Sequence, residues 1–157
     1  MPNDKKAELE ACIRRHADMV YRLAYSYVRN HADAEDVFQD TFLRLVRKQP
    51  AFESEEHCKA WLLRVTANCA KNHLHSAWKR HTQPLEEQIP ADVPAEEIHL
   101  DEALRQLKPV YRAVIHLHYF EGYKTEEIAE ILGSRPSTVR SQLKRAREQL
   151  AVLLKEE

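Results

Sequence analysis

Apolar residues recur near the start of the chain at Leu9, Ile13, Ala17, Val20, Ala24 and Tyr27. Gaps of three and four place them on one stripe of a long amphipathic helix. Asn30 and His31 interrupt the stripe, and Asp33, with Asp36 three residues on, reads as the N-cap of a second helix. That helix carries Phe38, Phe42 and Leu45 on one face, reaches about Lys48 and is stopped by Pro50. AFESEEHCK (51–59) is polar and predicts a loop, and a third helix follows over about 60–78. Further on, Ile98, Leu100, Ala103, Leu104 and Leu107 predict a short helix ending near Lys108-Pro109, and VYRAVIHLHYF another that stops at Glu121-Gly122. Thr125 then reads as the cap of a short helix whose last residue, Leu132, precedes the stop at Gly133. Pro136 or Ser137 opens the final helix, with Val139, Leu143, Ala146 and Leu150 on its buried side. A short helix, a glycine turn and a basic helix make a helix-turn-helix. An ordinary corner between packed helices shares that order, but this second helix sets Arg140, Ser141, Lys144 and Arg145 outward.

Between the two groups of helices, TQPLEEQIPADVPA holds Pro84, Pro90 and Pro94 together with Glu86, Glu87 and Asp92, and no helical stripe. Repeated proline denies helix and favours an extended, solvated connection. The pattern therefore predicts an all-α protein of two small helical domains, residues 1–81 and 96–157, joined by a flexible linker over 82–95. Composition narrows the picture. The chain has 157 residues and only two glycines, too few for a phosphate-cradling loop or a dinucleotide fingerprint. No stretch nears the roughly 20 apolar residues that cross a bilayer, and MPNDKKAELE is no signal peptide, so no membrane insertion is expected. Cys12, Cys58 and Cys69 form no CxxC pair and read as reduced thiols of a cytoplasmic protein.

The net charge of −1 hides a partition along the chain. Residues 59–81 carry Lys59, Arg64, Lys71, Lys79 and Arg80 with no acid, and residues 135–147 carry Arg135, Arg140, Lys144, Arg145 and Arg147 with none. An acidic block over 82–104 separates them. Two basic blocks suit two contact surfaces for a polyanion, although solvated helix faces have the same composition. At about 100° per residue, Arg64, Asn68, Lys71, Asn72, His75 and Lys79 fall within roughly a 100° sector of the third helix. Leu63, Ala67, Ala70, Leu74 and Ala77 lie opposite, flanked by Leu62 and Cys69. A strip of amides and cations suits phosphates and base edges, as it would also suit water. Asp33, Asp36 and Asp40 form a carboxylate stripe on the second helix, fit for a basic partner helix or for a favourable helix N-terminus in solvent.

Taken in order, these segments resemble the extracytoplasmic-function (ECF) sigma factors of bacterial RNA polymerase, over about residues 9–154. DAEDVFQDTFLRL (33–45) is similar to the family's region 2.2, AWLLRVTANCAKNHLHSAWKR (60–80) to regions 2.3 and 2.4, and the segment from Leu107 to Leu150 to region 4. The resemblance implies docking of Asp33, Asp36, Gln39 and Asp40 on the clamp helices of the polymerase β′ subunit, and of region 4 on the β flap. It implies promoter −10 contacts from Arg64, Asn68, Lys71, Asn72, His75, Lys79 and Arg80. It implies −35 contacts from Arg135, Ser137, Thr138, Arg140, Ser141, Lys144 and Arg145. The loop from Ser54 to Lys59 occupies the place where the family traps an unpaired promoter base, while Trp61, at the start of the packed side, reads as core. Asn72 and His75 stand where many members have an acid and an arginine, and Gln142 where arginine is frequent. An anti-sigma factor is an expected partner; no cofactor, metal, small-molecule substrate or catalysis is expected.

Other functions fit less of the chain. His73/His75 and His116/His118 are spaced by two, which puts the members of each pair on different helix faces, and neither HExxH nor paired CxxC occurs. His73 falls in an apolar arc and reads as a packed histidine. A stand-alone helix-turn-helix regulator with an N-terminal interaction domain explains the last helices but not DAEDVFQDTF or the donor-lined helix. A purely structural helical adaptor leaves both basic blocks unexplained.

Overall fold

The structure, a computed structural model, describes residues 3–79 and 95–155, all helix and short connections. The chain divides into two compact units, Met1–Gln83 and Pro84–Glu157. The expected linker falls outside the described residues except for Ala95, which opens a helix.

The first unit packs three helices, α1 (Asn3–Val28), α2 (His31–Lys48) and α3 (Glu55–Lys79), each against the other two. Val20, Leu23, Ala24 and Tyr27 of α1 meet Ala34, Val37 and Leu45 of α2 and Leu62, Leu63, Ala67 and Ala70 of α3 in a core closed to solvent. Each buried leucine there contributes about 1.5–3 kcal/mol. Thr41 and Thr66 are fully buried too, and each hydroxyl donates to the carbonyl four residues back, at 2.9 Å to Val37 and 2.6 Å to Leu62. The buried row of α2 runs through Ala34, Val37, Thr41, Phe42 and Leu45; Phe38 stands at its margin, edge-on to Phe42.

Two helix boundaries of the first unit differ from the sequence expectation. The N-cap of α2 is Asn30, whose Oδ1 accepts from the Asp33 N–H at 2.8 Å; Asp33 lies inside the first turn. An amide reaches the third N–H as well as a carboxylate does, so the cap shifts to the residue already in extended backbone. α3 begins at Glu55, so the second half of AFESEEHCK is helical. Ser54 caps it, with its Oγ accepting from His57 N–H at 3.1 Å, and burial of Cys58 fixes the first turn against the core. Where the chain lacks glycine it turns on other residues: Arg29 and Gln49 take left-handed conformations at the ends of α1 and α2, with φ of 55° and 44°.

The second unit comprises α4 (Ala95–Gln106), α5 (Pro109–Ile115) with a π-helical turn over His116–Phe120, α6 (Thr125–Leu132) and α7 (Pro136–Lys155). Leu107, Tyr111 and Ala146 form a core with Leu104, Ile115, Leu150 and Leu153 packed on it. The buried Arg112 guanidinium donates to the Leu107 carbonyl at 2.6 Å, just past the end of α4, and at 3.3 Å to the Leu104 carbonyl, which also accepts from the Leu107 N–H. In the π turn the Glu121 N–H reaches back five residues to His116 at 3.1 Å, and Tyr119 and Phe120 face solvent.

Replacing Asn30 by alanine removes both the α2 cap and a donor to Asp33. We expect a loss of about 0.5–2 kcal/mol, read as a lower urea midpoint of the first unit at an unchanged slope. A midpoint equal to that of the parent chain would show that the cap carries no stability.

Candidate nucleic-acid interface

Each candidate surface is the outward side of a helix whose inward side is fixed by the cores above. On α2, Asp36, Gln39 and Asp40 are exposed. Leu43 and Val46 are exposed as well, an unusual setting for large aliphatics, and they continue the same face one turn on. The acidic stripe therefore runs into an apolar end that sequence periodicity did not single out. Asp33 is differently placed. Its Oδ2 accepts from Asn30 Nδ2 at 2.6 Å and its Oδ1 meets His73 Nε2 at 2.8 Å. Both carboxylate oxygens face inward contacts within the unit, and His73, expected as a packed histidine, is half-buried against this acid.

On α3, Arg64, Asn68, Lys71, Asn72 and His75 are all exposed, on the side opposite Leu63, Ala67 and Ala70. Lys79 is the last residue of the helix, and Arg80 lies outside the described residues. Trp78 borders the strip and is 79% exposed, which no packing demand explains. Trp61, by contrast, is half-buried edge-on to Phe52, which in turn meets His57 edge-on. Residues 55–59, expected as part of a loop, are helical, and an exposed aromatic of this helix, Trp78, stands at its far end.

In the second unit, α6 and α7 form the turn that the sequence anticipated. Gly133 takes φ 67°; its N–H points to the Glu130 carbonyl at 3.4 Å, and the Ser134 N–H to the Ala129 carbonyl at 2.8 Å, a Schellman closure. At the other end of α6, Lys124 is the cap position, and its N–H donates to Glu127 Oε1 at 2.9 Å, so Thr125 is the first helical residue and not the cap. The Thr125 hydroxyl instead bonds Glu126. The Glu126 backbone N–H, then that hydroxyl, hold the Glu126 carboxyl below the usual range, with Arg140 and Lys124 adding to the effect. Val139, Leu143 and Ala146 bury the inner side of α7, which leaves Arg135, Ser137, Thr138, Arg140, Ser141, Lys144 and Arg145 exposed. Arg140 leans toward Glu126 at 3.9 Å, an exposed contact that solvent screens and a stronger anion can replace. Gln142 is half-buried and off this exposed row.

The family description "Sigma-70 region 2" matches residues 12–80 and "Sigma-70, region 4" matches residues 99–150. The chain is 34% identical over 157 residues to the RNA polymerase sigma factor SigV of Bacillus subtilis, covering 97% of this chain and 94% of that one. It belongs to the ECF sigma factors of the sigma-70 family. The ECF sigma factor SigE of Mycolicibacterium smegmatis is 37% identical over 150 residues; the match takes in 88% of this chain and 58% of that relative's length. Among solved structures, the sigma factor RpoE of Bartonella quintana, crystallised with the anti-sigma factor NepR, superposes with a TM-score of 0.74 at 27% identity over 99% of both chains. As in the family, the α2 face and the α3 strip lie in region 2 and the helix-turn-helix in region 4.

Among the described residues, two groups of side chains come within metal-ligand reach of one another, Asp33 with Asp36 and His73, and Cys12 with His16 and Cys58. The first is accounted for by the Asp33–His73 pair. No described helix is long and apolar enough to cross a membrane.

Proposed function

We propose that this chain acts as an alternative sigma factor, binding core RNA polymerase and directing promoter-specific initiation. It has no catalytic turnover of its own and works in the cytoplasm. What carries the reading is the presence in one chain of three distinct outward faces: an acidic and apolar one on α2, an amide and cation strip on α3, and a basic reading helix on α7. A regulator that only bound duplex DNA would use the last and leave the others without a task.

In this reading Asp36, Gln39 and Asp40 meet the clamp helices of β′, with Leu43 filling an apolar contact beside them, while region 4 docks on the β flap. Asp33 orients the face from within instead of touching the partner. Arg64, Asn68, Lys71, Asn72 and His75, continued by Lys79 and Arg80, hold the opened −10 strand. Trp78 offers a stacking surface to an unpaired base, an exchange worth about 1–3 kcal/mol per base. An anti-sigma factor restrains the protein, as NepR is bound to the related RpoE.

Transcription in vitro with core polymerase on a promoter library tests the proposal. The expected result is a discrete set of start sites that core alone does not produce. Folded protein that fails to bind core at micromolar concentration would falsify it.

Charge reversal at Asp36 and Asp40 should weaken core binding with the helical content intact, because both side chains are exposed. Removing a charged partner costs on the order of 2–5 kcal/mol where the contact is buried, and less at a rim. Unchanged affinity of the double variant would move the clamp contact elsewhere.

On α7, the N-terminal residues of a reading helix lie nearest the bases. Arg140, whose fork can bond both guanine acceptors, should read sequence, while Lys144, a turn farther on, should meet phosphate. Arg140→Ala is expected to cost about 1–3 kcal/mol at one base pair and to change the preferred −35 sequence. Lys144→Ala should weaken all sequences alike and lower the salt slope by roughly one unit. Binding to single-base promoter variants at several salt concentrations separates the two; the reverse pattern would mean that the helix is rotated in the groove.

A further inference from the structure

Cys12 and His16 stand one turn apart on α1, and Glu55 and Cys58 one turn apart at the start of α3. Those spacings turn each pair to one side of its helix, and packing of α1 on α3 brings the two pairs together. Cys12 Sγ and Cys58 Sγ are 3.5 Å apart, and His16 Nε2 lies 2.6 Å from Glu55 Oε1. Ligand atoms of Cys12, His16 and Cys58 all lie within 4.8 Å of one another. With Zn–S of about 2.3 Å and Zn–N or Zn–O of about 2.0–2.2 Å, a tetrahedral zinc ion sets its ligand atoms about 3.3–3.8 Å apart. The sulfur pair already has that separation, and the His16–Glu55 contact needs to open by less than about 1 Å to match it; Glu55 stands outside the group of three, so its exposed carboxylate must also swing toward the sulfurs to complete the set.

We propose that Cys12, His16, Glu55 and Cys58 form a tetrahedral zinc site that clips α1 to the first turn of α3. Four protein ligands leave the ion no open position, as in structural sites: two sulfurs, one imidazole and one carboxylate come from two rigid helices, with His16 and Cys58 only 4% and 5% exposed. Cys12 and Glu55 lie nearer the surface and give the ion its way in. On binding, Cys12 and Cys58 each release a proton to solvent, the proton that His16 Nε2 directs at Glu55 is exchanged for one on Nδ1 of the same neutral ring, and two thiolates and a carboxylate face a divalent cation. The surplus negative charge is offset by Arg15, whose Nη1 holds the other Glu55 oxygen at 2.8 Å. A Cys12–Cys58 disulfide is the competing use of this pair. It requires an external two-electron oxidant, whereas metal binding needs only the loss of the two thiol protons. The site stands on this geometry and does not depend on the transcriptional reading.

The full-length chain, untagged, reduced and stripped with chelator, is loaded in parallel with Zn²⁺ and with Co²⁺. Expected are one zinc retained per chain after desalting, two protons released per metal in weakly buffered indicator, and a higher melting temperature. The cobalt form should show thiolate charge-transfer and the intense visible bands of tetrahedral coordination. Cys12→Ala, at a half-exposed position that the core does not need, should abolish the charge-transfer band or halve it and lower zinc affinity by about tenfold or more. Glu55→Gln should keep the sulfur band with an affinity lowered by about tenfold, and Cys69→Ala should leave every readout unchanged. No retained zinc in the parent chain, a pale octahedral cobalt spectrum, or equal metal binding by a folded Cys12→Ala chain would each overturn the site.

Discussion

Asn30 accepts from the Asp33 N–H through Oδ1 and donates to the Asp33 carboxylate through Nδ2, and that carboxylate's other oxygen meets His73 on α3. One short polar chain thereby joins the corner between α1 and α2 to the last third of α3. Its position matters because Asn30 is itself buried and Asp33 and His73 are half-buried, so their polar atoms need partners inside the protein. Once those bonds are made, the rotation of α2 is fixed. Ala34, Val37 and Leu45 go into the core, and Asp36, Gln39, Asp40 and Leu43 go out. The same contact holds α3 with Ala67 and Ala70 inward and with Asn68, Lys71 and Asn72 in solvent. Both outward faces of region 2 are oriented by a polar frame beneath them, and Asp36 of the α2 face lies beside it.

The parts of this arrangement legible in the sequence are those that repeat. The stripe from Val20 to Tyr27, and the alternation of Leu63, Ala67 and Ala70 with Arg64, Asn68 and Lys71, follow helical period, and the structure places them as that period requires. The exposed row on α7 came through for the same reason, since Val139, Leu143 and Ala146 leave Arg140, Ser141 and Lys144 no inward option. What periodicity cannot carry is the identity of a single bond. Asn30 and Asp33 are equally good capping residues by type, and only backbone conformation decides between them. The polar run 51–59 looks like a loop by composition, yet Ser54 caps a turn in which only Cys58 is buried. Pairing of Cys12 with Cys58 and of Asp33 with His73 joins residues far apart in the chain, and no local spacing announces it. The exposure of Leu43 and Trp78 is not legible either, because a single large apolar residue beside a polar strip does not show which way it faces.

Scarcity of glycine shapes how the helices end. Arg29 and Gln49 accept left-handed backbone, a conformation that costs an L-residue about 1–2 kcal/mol. Packing on both sides of each corner offsets that cost: Val28 and Asn30 are buried around Arg29, and Leu45 takes the Gln49 N–H at 2.9 Å. The chain keeps Gly133 for the corner between α6 and α7, where the Schellman closure delivers α7 with its first turn clear of neighbours and its hydroxyl and guanidinium groups in solvent. A side chain that must enter a groove needs that clearance, whereas the corners at Arg29 and Gln49 serve only packing.

The two candidate DNA-facing helices also differ in chemistry in a way that suits two states of the same polymer. Over residues 135–147, α7 and the turn before it carry five cations and no acid, with hydroxyls at Ser137, Thr138 and Ser141. Intact duplex offers two phosphate chains flanking a groove, and a reading helix there gains from dense positive charge with a few groups reaching base edges. The described strip on α3 is leaner in charge. Arg64 and Lys71 alternate with Asn68, Asn72 and His75, and Trp78 stands at the end. A separated strand has half the phosphates and exposes base edges and faces that duplex hides, so amides and an aromatic gain what extra cations would not. The division of charge along the chain thus matches the proposed roles of the two helices: a paired polyanion at α7, and unpaired bases at α3.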